Sequence, residues 1–309
     1  MNKNRLIYYL RIAIAVALAG SIFYIFDFST ILKLFKKIDY AWAVTTLAAN
    51  ILLFFTGSLS VWILLSVVSG ISFCKFIRHY SYAFTVGLFV PGQVGDASIS
   101  LFLKKEGVPL TYGGLAYVID KSISLLVFFI VASIGVGIFF PQINQCWFLF
   151  LPVICGLLIW GLYALIFKFG CRSSLLEKIY QVLAKLINAL RKYKNKWRII
   201  LVVIGCSVFK WLLVSFLYAT AFFAFGKVVP WPEIAVIPII STFVGYIPVS
   251  VSGIGTVEYS AVYLFSLIKV ESSLVVSVYI FLRLIQYLMG VLAIAIFIIS
   301  DIYQARYTE

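Results

Sequence analysis

Charge is what this sequence has least of. Eleven Asp and Glu stand against 25 Lys and Arg in 309 residues, and charged residues make up only 12% of the chain. A soluble domain carries about 25% charged and about 45–50% apolar residues. Here the hydrophobic class reaches 63% and the mean hydropathy is +1.09. That shortage excludes a soluble enzyme and a disordered chain. It also excludes a nucleic-acid-binding module, despite a net charge of +14. Histidine occurs once, as His79 beside Arg78 in a short basic stretch, and reads as interfacial rather than catalytic. The five cysteines (Cys74, Cys146, Cys155, Cys171, Cys206) form no CxxC. Metal-ligand spacing is therefore absent, and no metal, cofactor or disulfide framework is expected. Nucleotide motifs are lacking too. Gly253-Ile254-Gly255 has no third glycine and no surrounding βαβ unit, and there is no Walker pattern. Transport, if any, is then uncoupled or gradient-driven.

What is abundant is long apolar runs. Ile12–Phe28, Trp42–Val68, Leu115–Phe140, Trp147–Phe167, Ile199–Phe225 and Ser272–Ser300 are each near the length of about 20 residues that a spanning helix needs. Ala17-Leu18-Ala19 has the look of a cleavage site, but the apolar run continues past it, so an uncleaved first span is expected. Within the second run Asn50, Ser58 and Ser60 are polar enough to face protein rather than lipid. The expected fold is an all-α polytopic membrane protein with six to eight transmembrane helices, residues 1–309 forming one membrane-embedded unit.

Two further runs are broken. Tyr80–Leu103 is interrupted by Pro91-Gly92-Gln93-Val94-Gly95-Asp96, and Ile234–Ile268 by Pro248 and then Gly253-Ile254-Gly255-Thr256-Val257-Glu258. Irregular backbone at membrane depth persists only where it is buried in protein or lines a wet cavity, so each reads as a re-entrant hairpin. Lys121 follows Asp96 by 25 residues, and Arg283 follows Glu258 by the same interval. The shared order of breaker, acid and base predicts a pseudo-inverted repeat, with halves 1–145 and 146–309. Broken helices at corresponding positions of such repeats mark binding sites.

Within the second half lies a basic segment, 168–198, with nine Lys or Arg and one acid, Glu177. Its Leu, Ile and Val recur at helical spacing, which predicts an amphipathic helix on the membrane surface. Basic loops stay cytoplasmic. This orientation puts both termini in the cytoplasm and the protein in the cytoplasmic membrane. It leaves Lys33, Lys36 and Lys37 outside, against the rule.

The stretch Phe89-Val90-Pro91-Gly92-Gln93-Val94-Gly95-Asp96, with Asp120-Lys121, resembles the first motif of the flippase-like family named after the membrane region of lysylphosphatidylglycerol synthase. Ile247–Glu258 with Arg283 resembles the second. Lys121 stands where that pattern has arginine, and only arginine offers phosphate a planar fork. The resemblance spans nearly the whole chain. It implies a protein that moves or handles an anionic or aminoacylated lipid. The synthase members carry a large soluble catalytic domain, whereas this sequence ends at Glu309, so the resemblance implies transport and a protein that is not an enzyme.

A charge at the bilayer centre costs about 2.5–3.5 kcal/mol, so intramembrane charges must pair, meet water or bind something. Arg283, Lys121 and Lys210 are the candidate head-group contacts. Asp96, Asp120 and Glu258 complete the candidate substrate-binding set, as partners of those bases or as caps of the second half-helices. Pro91, Gly92, Gly95, Pro248, Gly253 and Gly255 are the hairpin breakers. Expected partners are anionic membrane lipids, with a homo-oligomer or an envelope-biosynthesis enzyme as further candidates. Two alternatives to a translocase stand beside it: an integral-membrane transferase, and a non-transporting partner of envelope enzymes.

Overall fold

The structure, a computed structural model, describes residues 28–89, 98–139, 191–246 and 253–307. These form nine α-helices: α1 (Phe28–Lys36), α2 (Tyr40–Ser66), α3 (Phe73–Phe89), α4 (Ile99–Leu103), α5 (Leu110–Phe139), α6 (Trp197–Ala224), α7 (Trp231–Tyr246), α8 (Thr256–Ser266) and α9 (Ser272–Tyr307). Short 3₁₀ turns cover Lys104–Glu106 and Arg191–Tyr193, and no strand occurs among the described residues. Among the described residues four helices are long and apolar enough to cross a membrane: α2, α5, α6 and α9. The expected spans Ile12–Phe28 and Trp147–Phe167 and the amphipathic helix before Arg191 lie outside the described residues. So do Pro91, Gly92, Gly95, Asp96 and Pro248.

The helices present large apolar side chains outward and bury polar groups among their apolar core residues. On α2, Thr46, Asn50, Ser58 and Ser60 are buried while Val44, Ile51, Leu52, Phe55 and Leu59 are exposed. On α9 the exposed set is Leu284, Leu288, Val291, Leu292 and Ile296. Water would reverse that arrangement and lipid favours it. The chain is an integral membrane protein whose described residues form helices and no strands.

Asp39 starts α2. Its backbone is extended, and its Oδ1 accepts from the N–H groups of Ala41 at 2.8 Å and Trp42 at 3.4 Å, donors that a helix start otherwise leaves unpaired. The Asp39 N–H donates to Ala224 O at 2.8 Å, which ties that start to the far end of α6. Helices α2 and α6 then run antiparallel, with Trp42 against Phe223 and the Thr46 hydroxyl donating to Thr220 Oγ1 at 3.1 Å.

Two apolar cores flank this central pair. Leu64, Leu65, Phe76, Ile99, Leu103 and Leu115 build one from α2–α5. Phe222, Ile237, Leu264, Phe265, Val275 and Leu282 build the other from α6–α9. The order long, short, short, long therefore occurs twice. Cross-packing is reciprocal, α3 lying on α9 and α5 on α7. Glycines permit both approaches: a Cβ at Gly135 would fall 1.8 Å from Val236 Cγ1, and one at Gly290 would fall 3.0 Å from Leu88 Cδ1.

The broken runs form pairs of short antiparallel helices. Tyr82 of α3 meets Phe102 of α4, with ring centroids 5.9 Å apart. In the second pair Ser241 lies beside Ser260, and Gly245 beside Gly253 and Val257. At 1.5 Å per residue α7 and α8 reach about 24 and 16 Å, short of the ~30 Å hydrocarbon layer. Gly253 and Gly255 have φ of +71° and +84°, left-handed values that disfavour other residues.

Two boundaries differ from expectation. The fifth helix begins at Leu110, not Leu115, which sets Asp120 and Lys121 ten and eleven residues into it rather than near its start. Lys33 and Lys36 belong to a helix, α1, instead of a loop; its Ile31 packs on Val276 of α9. The end of the basic segment folds back onto the first core. Tyr193 donates its hydroxyl to Leu64 O at 2.9 Å, and Lys192 lies 4.4 Å from the centre of the Tyr112 ring. Burial pushes the Tyr193 phenol up to about 12, so it remains a donor.

Candidate functional site

Asp120 and Ser124 are one helical turn apart on α5, and Ser207 and Lys210 occupy one face of α6. Where the two helices meet, Lys210 Nζ donates to Asp120 Oδ1 at 2.9 Å and to Ser124 Oγ at 2.8 Å. Ser60 of α2 donates a short hydrogen bond to the same carboxylate oxygen, and Ser124 and Ser207 share a bond at 3.1 Å. All five residues are buried. A buried carboxylate and ammonium persist only when paired and further hydrogen-bonded, and three helices supply those partners.

Lys121, the chain neighbour of Asp120, points elsewhere, since residues i and i+1 do not share a helix face. Its ammonium lies 5.6 Å from the centre of the Tyr117 ring. Of the Asp120-Lys121 motif, the acid meets a lysine 90 residues away.

A second pair sits at the second helix break. The Glu258 carboxylate accepts from the Gly255 N–H at 2.7 Å, closing the first turn of α8, and it also pairs with Arg283 of α9. Glu258 therefore caps a helix and balances a base at once. Its side chain is 3% exposed and that of Arg283 is 21% exposed, so the guanidinium is the more accessible partner. Tyr218 of α6 and Tyr279 of α9 pack nearby with their rings tilted at 52° and centroids 5.1 Å apart.

A cavity of about 220 Å³ opens between α2, α3, α5, α6 and α9. Asp120, Lys121 and Lys210 border it, together with Asn50, Tyr80, Tyr117 and Gln286. Glu258 and Arg283 form a separate pair, one helical turn before Gln286 on α9. Of the six candidate contacts, the structure brings three to one cavity and two to the second break, and Asp96 lies outside the described residues. Sequence reading missed Ser124, Ser207 and Gln286. Helical spacing from Asp120, Lys210 and Arg283 was the available signal for each.

His79, read as interfacial, is buried, with Nε2 3.1 Å from Glu106 Oε1; Lys75 Nζ lies 3.3 Å from the other oxygen. These two bases hold the Glu106 carboxyl below its ordinary value, the His79 bond contributing most.

Helices long and apolar enough to span, two broken-helix pairs and buried ion pairs define a polytopic membrane protein. The chain matches, over residues 8–294, the family described as the lysylphosphatidylglycerol synthase TM region, and it belongs to that family. The match places it among membrane proteins of lipid-related processes. It also corrects one expectation. The family is described by a synthase, which points to an enzymatic family and overturns the reading of a protein that is not an enzyme. No curated protein matches the chain.

Proposed function

We propose that the chain carries an anionic or aminoacylated phospholipid, or a lipid-linked intermediate, across the cytoplasmic membrane. The head group passes through the polar interior while the acyl chains stay in lipid. The observation that carries this reading is the pair of buried ion pairs, Asp120–Lys210 and Glu258–Arg283, inside helices whose outer faces are apolar. In a bilayer such groups mark a path for polar substrates by default. Lys121, Lys210 and Arg283 are the bases proposed to meet the phosphate, and the acids hold them in place between substrates. The twofold order of helices and their reciprocal packing support an inverted repeat, with re-entrant hairpins facing each other across the bilayer.

A second reading has one specific support. The family's description by a synthase favours a role in lipid modification, with the same polar interior presenting a head group to a transfer reaction.

Reconstitution separates the two. Vesicles containing the purified protein and a head-group-labelled phosphatidylglycerol are expected to expose inner-leaflet label to an impermeant quencher faster than protein-free vesicles. Arg283→Gln is expected to slow that movement at least tenfold. Movement no faster than in protein-free vesicles would overturn the translocase reading.

A further inference from the structure

We infer that the groove where the α1–α2 corner meets the end of α6 docks an anionic phospholipid of the leaflet on that side, with its phosphate at Lys37 and its acyl chains along Trp42 and Phe223. The site is peripheral. None of its lining residues borders the inner cavity, and it holds whether or not the protein moves lipid.

The chain builds the groove from separate elements. The Asp39 N–H donates to Ala224 O at 2.8 Å, which sets the start of α2 against the end of α6. Phe35 of α1 meets Phe225 edge-on, with ring centroids 5.3 Å apart, and Ile31 packs on Val276 near the start of α9. These contacts leave a groove of about 760 Å³, lined by Lys37, Asp39, Trp42, Phe223, Gly226 and Val228 among others.

Tyr40, Trp42 and Trp231 are exposed at this end of the helices. Exposed Tyr and Trp mark the level at which a spanning helix passes from hydrocarbon to water. Further along α2 the exposed side chains are Val44, Ile51, Leu52 and Phe55. A lysine at the wet rim above aromatic and aliphatic side chains follows the polarity gradient of a phospholipid. A free anion has no use for the apolar part.

Charge sets the sign of the head group. Lys33, Lys36, Lys37 and Lys227 are all exposed at this corner, and none forms an ion pair with a described residue. Asp39 is the carboxylate beside them, and its Oδ1 is engaged by the N–H groups of Ala41 and Trp42. Adding Lys269, Glu233 and Glu271 from the same end leaves five bases against three acids. The orientation expected from the basic segment puts these lysines outside, where loop charge is normally sparse. Topology therefore gives no reason for them, whereas lysines at a bilayer surface attract anionic lipids.

The test uses the full chain in nanodiscs of phosphatidylcholine, doped with phosphatidylglycerol that carries a photoactivatable acyl chain. After irradiation, adducts are mapped by mass spectrometry. Adducts within Tyr40–Val44 and Phe222–Val228 are expected at least fivefold above those from photoactivatable phosphatidylcholine. Lys37→Gln with Lys227→Gln is expected to remove most of that excess, while adducts on the exposed face of α9 at Leu288–Ile296 stay unchanged. Lys37→Arg is expected to retain the excess, and Lys269→Gln, off the groove, to leave it intact. Equal labelling by the two lipids, or wild-type labelling in the double glutamine variant, would overturn the site. Suppression by soluble glycerol phosphate as strong as by unlabelled phosphatidylglycerol would make it a free-anion site and overturn it too. Labelling is read without lipid movement, so loss of this site leaves the translocase reading standing, and loss of that reading leaves the site.

Discussion

Lys210 of α6 and Asp120 of α5 meet at 2.9 Å across 90 residues of chain, and their contact joins two of the spanning helices. The pair borders the cavity on one side and is tied to α2 through Ser60 on the other. It links the halves of the fold and exposes a charge to whatever enters.

Removing one member leaves the other stranded. Lys210→Met is expected to destabilise the protein by about 3–5 kcal/mol, because an uncompensated buried carboxylate remains. Asp120→Asn with Lys210→Met is expected to recover most of that loss. Thermal unfolding in detergent checks both; equal unfolding temperatures for the single and double variants would contradict the pairing.

Glu258 is expected to show its two roles separately. Glu258→Gln keeps an oxygen for the Gly255 N–H but loses the charge opposite Arg283. Glu258→Ala loses both, and is expected to cost about 1 kcal/mol more than the glutamine variant, the ordinary worth of a helix cap. Denaturant unfolding of the two variants gives the difference, and equal stability would deny the capping role.

At Gly135, α5 packs directly against Val236 of α7. Gly135→Ala places a methyl group inside the van der Waals radius of Val236 Cγ1, and is expected to cost about 1–3 kcal/mol through overpacking. Adding Val236→Ala is expected to return at least half of that. A Gly135→Ala protein as stable as the wild type would show that the helices do not approach as described.

Acid is expected to loosen the α3–α4 pair. The folded Glu106 carboxyl titrates below its ordinary value of 4.5, chiefly through the His79 bond and then through Lys75. A depressed carboxyl contributes stability that is fully present above the unfolded value, and this is lost as pH falls through the folded one. Hydrogen exchange in Ile99–Leu103 is therefore expected to rise below pH 4.5, and Glu106→Gln to flatten that rise. An unchanged acid profile in Glu106→Gln would contradict the assignment.

The spans α2, α6 and α9 were legible because uninterrupted apolar runs have few other outcomes in water or lipid. Gly253 and Gly255 announced the second break because the backbone there takes left-handed values. The start of α5 was hidden by Gly113 and Gly114, which read as loop. Gly113 is in fact a packing position: a Cβ there would lie 3.1 Å from Ser100 Cα of α4. The candidate bases were visible as charges in apolar surroundings, but their partners were not. Nothing local joins Asp120 to Lys210 rather than to Lys121; that choice follows from how α5 meets α6. Asn50 was read as facing protein, and its position on a cavity emerged only once α3, α5 and α9 were packed around it.

Lipid movement by the Asp120→Asn, Lys210→Met double variant tests the central claim most directly. The paired substitution is expected to keep the fold while removing the Asp120–Lys210 ion pair from the cavity wall, with Lys121 left in place. The account predicts a protein that unfolds near the wild-type temperature and moves labelled phosphatidylglycerol in vesicles at least tenfold more slowly. A double variant that moves the lipid at the wild-type rate would make the ion pair a structural fastening alone, and would contradict a head-group path through this interior.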